Sequence, residues 1–193
     1  MENVATIPLA ILVEAYREGR FPMCHEDGDL YWHDPDPRAV FPLEAIGPNA
    51  RLQRALRKSD FTLSIDRDFK AVIRACADRD ETWIDERIIA SYITLHHAGF
   101  AHSVEVTAHG ELVGGIYGVA LSGAFFGESM FSSESNASKA AFHFLVRHLR
   151  AKGFLLFDSQ YINDFTEQLG AVEIPRSEFR SRLQKALAVR TQF

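Results

Sequence analysis

Two short segments carry polar groups where a buried strand ordinarily holds only apolar side chains. The first is Phe125-Phe126-Gly127-Glu128-Ser129-Met130-Phe131. The second is Phe154-Leu155-Leu156-Phe157-Asp158-Ser159-Gln160. Side chains alternate between the two faces of a strand. Glu128 is therefore expected to point with Phe126 and Met130, and Asp158 with Gln160. If the strands are neighbours, two carboxylates and a carboxamide meet beside apolar side chains. Burying a carboxylate without a partner is costly or raises its pKa, and such groups collect where protons or ammonium groups are handled. The plainer alternative is that both acids pair with arginine or cap nearby backbone. Three polar residues at matched spacing on two core strands favour a site.

Other candidates are weaker. Gly114-Gly115-Ile116-Tyr117-Gly118, followed by Gly123 and Gly127, marks either bending of a sheet or a close approach by a ligand. It matches no phosphate-loop or dinucleotide signature. Arg51, Arg54 and Lys58 share one helical face in a stretch with four cations and no acid. That stripe is either a solvated face or a phosphate contact. Arg176, Arg180, Arg182 and Lys185 form a looser cationic group. Asn136-Ala137-Ser138-Lys139 reads as a helix start, whose free N–H groups also suit an anion. The eight histidines show no metal-ligand spacing, so neither a metal nor a cofactor is expected. Ser129, Ser132 and Ser159 lack the context of a nucleophilic serine. Cys24 and Cys76 form no disulfide framework or zinc motif, which points to a reducing, cytoplasmic setting.

The elements that must position these groups follow from periodicity and turn residues. The chain has 193 residues, 47% hydrophobic and 24% charged, with 15 Phe. That is enough for an aromatic-rich core. A net charge of −5 excludes a generic polyanion binder and confines any nucleic-acid contact to a local patch. No stretch reaches the ~20 apolar residues of a membrane span. Five of the seven prolines lie at or before residue 42. Residues 1–48 therefore read as a small lobe of one helix (9–20) and proline-punctuated loops, and residues 49–193 as a larger domain. In the larger domain, helices are expected at 49–59, 69–77 and 84–98, with a strand at 61–65 between the first two. An antiparallel meander follows at 102–107, 111–121 and 124–131. A helix capped by Asn136 or Ser138 should run to Lys152, then an apolar strand 154–160, a short helix at 163–169, a strand at 172–174 and a helix at 179–189. The class is α+β with a mixed sheet.

Several strings in this order resemble one family. They include Trp32-His33-Asp34-Pro35-Asp36-Pro37-Arg38, Glu81-Thr82-Trp83-Ile84, His102-Ser103-Val104-Glu105 and Leu112-Val113-Gly114-Gly115-Ile116-Tyr117-Gly118. Phe126-Gly127-Glu128-Ser129-Met130-Phe131-Ser132, Asn136-Ala137-Ser138-Lys139, Asp158-Ser159-Gln160, Leu169-Gly170-Ala171 and Ile174-Pro175-Arg176 continue the set. Any one is weak; the ordered set, from about Ala15 to Leu187, resembles the bacterial leucyl/phenylalanyl-tRNA–protein transferases. The resemblance implies that the larger domain has a GCN5-related acetyltransferase-like fold. It implies transfer of leucine or phenylalanine, sometimes methionine, from aminoacyl-tRNA to the α-amino group of a protein beginning with Arg or Lys. The product is marked for degradation by the N-end rule.

Carried over by motif, Asp158 and Gln160 match the family's catalytic pair and Glu128 its acidic pocket residue. Trp83, Phe125, Met130, Leu145, Leu149 and Phe157 match positions lining its pocket for the donor side chain. An aminoacyl ester is already activated, so aminolysis needs positioning and proton handling more than a covalent intermediate. Asp158 is expected to orient the amine and take its proton, Gln160 to hold the ester carbonyl or relay that proton, and Glu128 to hold an ammonium group of donor or acceptor. Trp32 is a candidate to stack on the terminal adenosine, and Arg51, Arg54 and Lys58 to hold acceptor-stem phosphates. Two alternatives stand beside this reading. An acyl-CoA N-acetyltransferase of the same fold needs a glycine-bearing pyrophosphate loop, and 132–138 has no glycine. A non-catalytic RNA- or peptide-binding module would leave Asp158 and Gln160 dispensable.

Overall fold

A computed structural model describes residues 6–193. The first elements described are helix α1 (Leu9–Arg17) and a two-stranded ribbon, β1 (Phe21–Cys24) against β2 (Leu30–His33). Strand β3 (Arg38–Phe41) follows, then a single 3-10 turn at Leu43–Ala45, α2 (Ala50–Lys58), β4 (Thr62–Ile65), α3 (Phe69–Ala77) and α4 (Glu86–His97). The meander is β5 (Ala101–Ala108), β6 (Glu111–Leu121) and β7 (Ala124–Ser132). Then come α5 (Ala137–Lys152), β8 (Leu156–Gln160), α6 (Asp164–Gln168), β9 (Val172–Ile174) and α7 (Arg176–Leu187). Seven strands form one sheet in the order β4-β5-β6-β7-β8-β3-β9, antiparallel throughout except for the parallel pair β7 and β8. The fold is α+β with a mixed sheet, the class expected from the sequence. No helix among the described residues is long and apolar enough to cross a membrane.

The first forty-eight residues differ from the sequence reading. Three strands occupy what was read as loops, because Pro22 and Pro37 sit at positions where strands tolerate proline: a ribbon edge and the residue before β3. The break at 48/49 does not fall between sheets. β3 threads between β8 and β9 in the large sheet, pairing Val40 with Asp158 and with Val172. Neither expected residue caps α5: Asn136 precedes it in a left-handed conformation and its side chain makes no capping bond, and Ser138 lies inside the helix, its N–H donating to the Ser132 hydroxyl at 3.1 Å.

The sheet separates two cores. On one face α1, α3, α4 and α7 pack Tyr16, Val72, Tyr92 and Phe179 against Tyr117, Phe126 and Leu156. On the other, α5 packs Phe142, Leu145 and Leu149 against Val104, Phe125 and Phe157. The last residue, Phe193, closes this second core, stacked on His102 and Phe125 with ring centroids 4.3 and 5.5 Å away.

The glycines of β6 serve this packing. A Cβ at Gly114 would lie 2.6 Å from the Ala137 Cβ and 3.0 Å from the Ala137 carbonyl carbon, so its absence sets how closely α5 approaches the sheet. Gly114→Ala is expected to destabilise the protein by about 1–3 kcal/mol, because backbone rather than a flexible side chain must give way. A shift of the urea midpoint to lower concentration checks this; an unchanged midpoint contradicts the close-approach reading.

Candidate active site

Strands β7 and β8 pair only at 124–126 with 156–158, and a cleft of about 700 Å³ opens where they part. Met23, Phe41, Trp83, Met130, Phe157 and Phe165 supply its apolar wall, and Glu128, Gln160, Arg79 and Tyr161 its polar one.

Glu128 owes its place to a β-bulge. Gly118 of β6 pairs with Gly127, but Tyr117 pairs with Ser129, so Glu128 is an extra residue without a partner across the ladder. Bulges re-aim side chains in this way. The strict alternation expected from sequence is thereby broken: Phe126 packs on the α1/α3/α4 side and Met130 on the α5 side. The Glu128 carboxylate is 9% exposed. Its Oε1 accepts from the Tyr16 hydroxyl at 2.7 Å and from Gln160 Nε2 at 2.9 Å, and its Oε2 accepts from the Tyr92 hydroxyl at 3.3 Å. Burial lifts its pKa to about 7, helped by the negative charge of Asp158 and opposed by the bonds from Tyr16, Gln160 and Tyr92. The same burial, with the Glu128 charge beside it, pushes the Tyr16 and Tyr92 hydroxyls well above their usual value, so they act as donors.

Asp158 is on the same side of the sheet but behind the cleft. It is fully buried in a bidentate pair with Arg38 of β3, Nε to Oδ1 at 2.9 Å and Nη2 to Oδ2 at 2.5 Å. The remaining Arg38 nitrogen donates to the Gly19 carbonyl, and the rings of Phe21 and Phe179 flank the guanidinium at 4.9 and 4.3 Å. Burial draws the Arg38 pKa down, but Asp158 outweighs it and holds the group above its usual value. Asp158 Oδ1 also accepts from the Gln160 backbone N–H at 3.0 Å. Gln160 itself is held at φ +64°, in the left-handed region. The arrangement corrects the sequence expectation for Asp158. Its carboxylate oxygens are committed to Arg38 and to the backbone that aims Gln160, and it does not line the cleft.

The other expected residues divide. Trp83, Met130 and Phe157 line the cleft with Glu128 and Gln160. Phe125, Leu145 and Leu149 do not: they are buried in the α5 core behind it, Phe125 edge-on to Phe157 at 5.4 Å. Trp32 lies on the exposed ribbon, 42% accessible, opposite Pro22. Arg51, Arg54 and Lys58 are exposed on α2, and only Arg51 borders a cleft, a second one beside the first. Sequence reasoning missed Arg38, Tyr16 and Tyr92. The tyrosines carried a usable signal, since a tyrosine at a core position of a helix brings a hydroxyl that must find a partner.

Comparison with known proteins adds an independent finding. The family model described as leucyl/phenylalanyl-tRNA protein transferase matches residues 40–184, and that of its N-terminal domain matches residues 6–36. A leucyl/phenylalanyl-tRNA–protein transferase of Gloeobacter violaceus is 50% identical over 98% of this chain and 99% of its own length. One from Rubrobacter xylanophilus is 51% identical over 95% and 96%. Among solved structures, that of L-PGS from Bacillus licheniformis aligns at a TM-score of 0.47 and 12% identity, over 77% of this chain and 56% of that one.

Two outcomes follow from the buried charges. Arg38→Met leaves the Asp158 carboxylate without its partner and is expected to cost about 3–5 kcal/mol. Adding Asp158→Leu should restore part of that loss, measured by chemical denaturation of the single and double variants. Glu128 holds a proton in the folded state up to pH about 7 that the unfolded chain releases near its usual 4.5. The folded state binds more protons across that window, so stability falls as pH rises from about 4.5 to about 7. Glu128→Gln should flatten this fall, and equal slopes in both proteins would contradict the assignment.

Proposed function

The chain belongs to the leucyl/phenylalanyl-tRNA–protein transferase family, and on that premise we propose that the cleft between β7 and β8 is where an aminoacyl group passes from tRNA to a protein's N-terminal amine. The observation that carries the assignment is the Gln160–Glu128 hydrogen bond at the wall of a cleft whose other wall is Trp83, Met130 and Phe157. The apolar wall suits an unbranched-at-Cβ side chain such as leucine, phenylalanine or methionine. Discrimination among these is modest, because one methylene is worth only ~1–3 kcal/mol.

The reaction joins the amine nitrogen to the ester carbonyl carbon and breaks the bond to the ribose oxygen. One amine proton leaves, and the ribose oxygen gains one. Gln160 is the group that orients the ester carbonyl. Glu128, titrating at about 7, holds or accepts the proton of the incoming ammonium. Asp158 is a positioning residue: through the Gln160 backbone it fixes where the carboxamide points. The acceptor is a protein with N-terminal Arg or Lys, whose product enters degradation, and the reaction is cytoplasmic, where charged tRNA is found. On the donor side, Arg51, Arg54 and Lys58 meet acceptor-stem phosphates and Trp32 is the surface for the terminal adenosine.

The test is label transfer from leucyl-, phenylalanyl- and methionyl-tRNA to a peptide beginning with Arg, without CoA. Gln160→Ala should lower kcat about a hundredfold. Glu128→Gln should remove the limb of the kcat/KM profile near pH 7. A requirement for CoA, or full activity in both variants, would overturn the assignment.

A further inference from the structure

Transfer of the aminoacyl group moves two protons. Glu128 serves the one that leaves the amine. The ribose oxygen departs as an alkoxide and needs a donor of its own. That oxygen and the carbonyl oxygen share one carbon, so a donor to the first must stand next to Gln160. Tyr161, the following residue, meets this condition. Successive side chains of a strand face opposite ways, but the left-handed φ of +64° at Gln160 ends β8 and lets both side chains line the same cleft. Burial raises the Tyr161 hydroxyl above its usual value, with the Arg38 cation opposing, so it keeps its proton at neutral pH. A phenol is nevertheless a stronger acid than an alcohol, and its proton passes downhill to an alkoxide.

Independently, a hydrogen-bonded line runs from this hydroxyl to solvent. His33 of β2 places its Nδ1 2.7 Å from the Tyr161 oxygen, and its Nε2 lies 2.9 Å from Nε2 of His25. The two imidazole centroids are 5.1 Å apart, close to the largest separation this nitrogen–nitrogen distance permits. The rings therefore meet end to end along one N–H···N bond. Phe21 supports the line, stacked on His33 at 5.6 Å and edge-on to Tyr161 at 5.8 Å. Tyr31 lies against His25 at 4.7 Å and donates to Asp27. Burial and the charge of His25 pull the His33 imidazole below its usual value, which keeps it neutral at pH 7, with one N–H and one lone pair. When Nδ1–H donates to Tyr161, Nε2 must accept from His25, which is exposed on the ribbon.

We propose that Tyr161 is the general acid of the transfer, giving its phenolic proton to the departing ribose oxygen, and that His33 and His25 aim that proton and replace it. The inference rests on the aminoacyl-tRNA reading above. As the amine nitrogen bonds to the carbonyl carbon, the electron pair of the breaking C–O bond goes to the ribose oxygen, which takes the Tyr161 proton. Tyr161 takes the proton of His33 Nδ1, His33 takes that of His25 Nε2, and His25 takes one from water at Nδ1. The proton that the amine passes to Glu128 returns to water, so atoms and charge balance. While His33 Nδ1–H donates to the Tyr161 oxygen, the phenolic hydrogen cannot turn toward the histidine and is left for the substrate. Tyr161 is the catalytic residue here, and His33 and His25 are positioning residues.

The test is the single-turnover rate of transfer to a peptide beginning with Arg from two donors. One is leucyl-adenosine. The other is the 3′-leucyl ester of 2′-fluoro-2′-deoxyadenosine, whose fluorine makes the departing oxygen a better leaving group. Tyr161→Phe removes one hydroxyl from an exposed ring and does not threaten folding. It should lower the rate from leucyl-adenosine about a hundredfold with KM unchanged, and from the fluorinated donor by less than about tenfold. His33→Phe, which keeps a ring on Phe21, should show the same dependence on the leaving group, and the double variant should lose no more than Tyr161→Phe alone. Equal losses on both donors, a rise in KM alone, or the parent's rates in Tyr161→Phe would overturn the proposal. The parent's rates in His33→Phe would overturn the part given to the histidines. A parent protein that transfers leucine from neither donor overturns the reading beneath it as well.

Discussion

Taking an arginine and an aspartate wholly out of water costs several kcal/mol per ion, and only close, fully bonded geometry recovers it. Arg38 and Asp158 meet that demand, with two parallel hydrogen bonds between them, a third from Arg38 to Gly19, and a fourth to Asp158 from the Gln160 backbone. The pair therefore joins four segments at one point: the turn after α1, strand β3, the end of β8 and, through the Phe179 ring, α7. Gln160 can sit in a left-handed conformation at the lip of a cleft because its N–H has an immovable acceptor behind it. The strain of one backbone angle is borne by an ion pair that never sees solvent.

Charge is layered across the site. Arg38 neutralises Asp158 in the interior, which leaves Glu128, nearer the cleft, without a cation of its own. Its partners are neutral donors, two tyrosines and a carboxamide. Burial and the deeper carboxylate together keep its affinity for a proton near neutrality. A carboxylate so placed is a poor structural anchor but well matched to proton transfer around pH 7.

Most of the sheet was legible in the sequence because its signals are local. The turn at His109-Gly110, both residues at positive φ, and the turn at Ser122-Gly123 bracket β6, whose bounds match the expected 111–121. Asn163 caps α6 through a reciprocal bond with Thr166. The strands of the first forty residues were not legible. Their four-residue lengths give too little periodicity, and β3 acquires its identity only by pairing with strands more than 110 residues away. The convergence of Glu128 and Gln160 could be read from their strand positions, whereas the partner that removes Asp158 from the cleft could not. Arg38 lies in a loop-like proline run, and nothing local distinguishes it from a solvated cation.

The bulge at Glu128 has a consequence for how this strand can vary over time. Before it, Phe126 belongs to one core; after it, Met130 and Phe131 have exchanged the sides that strict alternation would give them. Losing Glu128 alone would leave a regular ladder, Gly127 opposite Gly118 and Ser129 opposite Tyr117, so Met130 and Phe131 would keep their interiors and only the carboxylate would vanish. The extra residue is thus dispensable to the sheet and its packing, whereas a further residue inserted there without a second bulge would send a methionine and a phenylalanine each into the wrong interior.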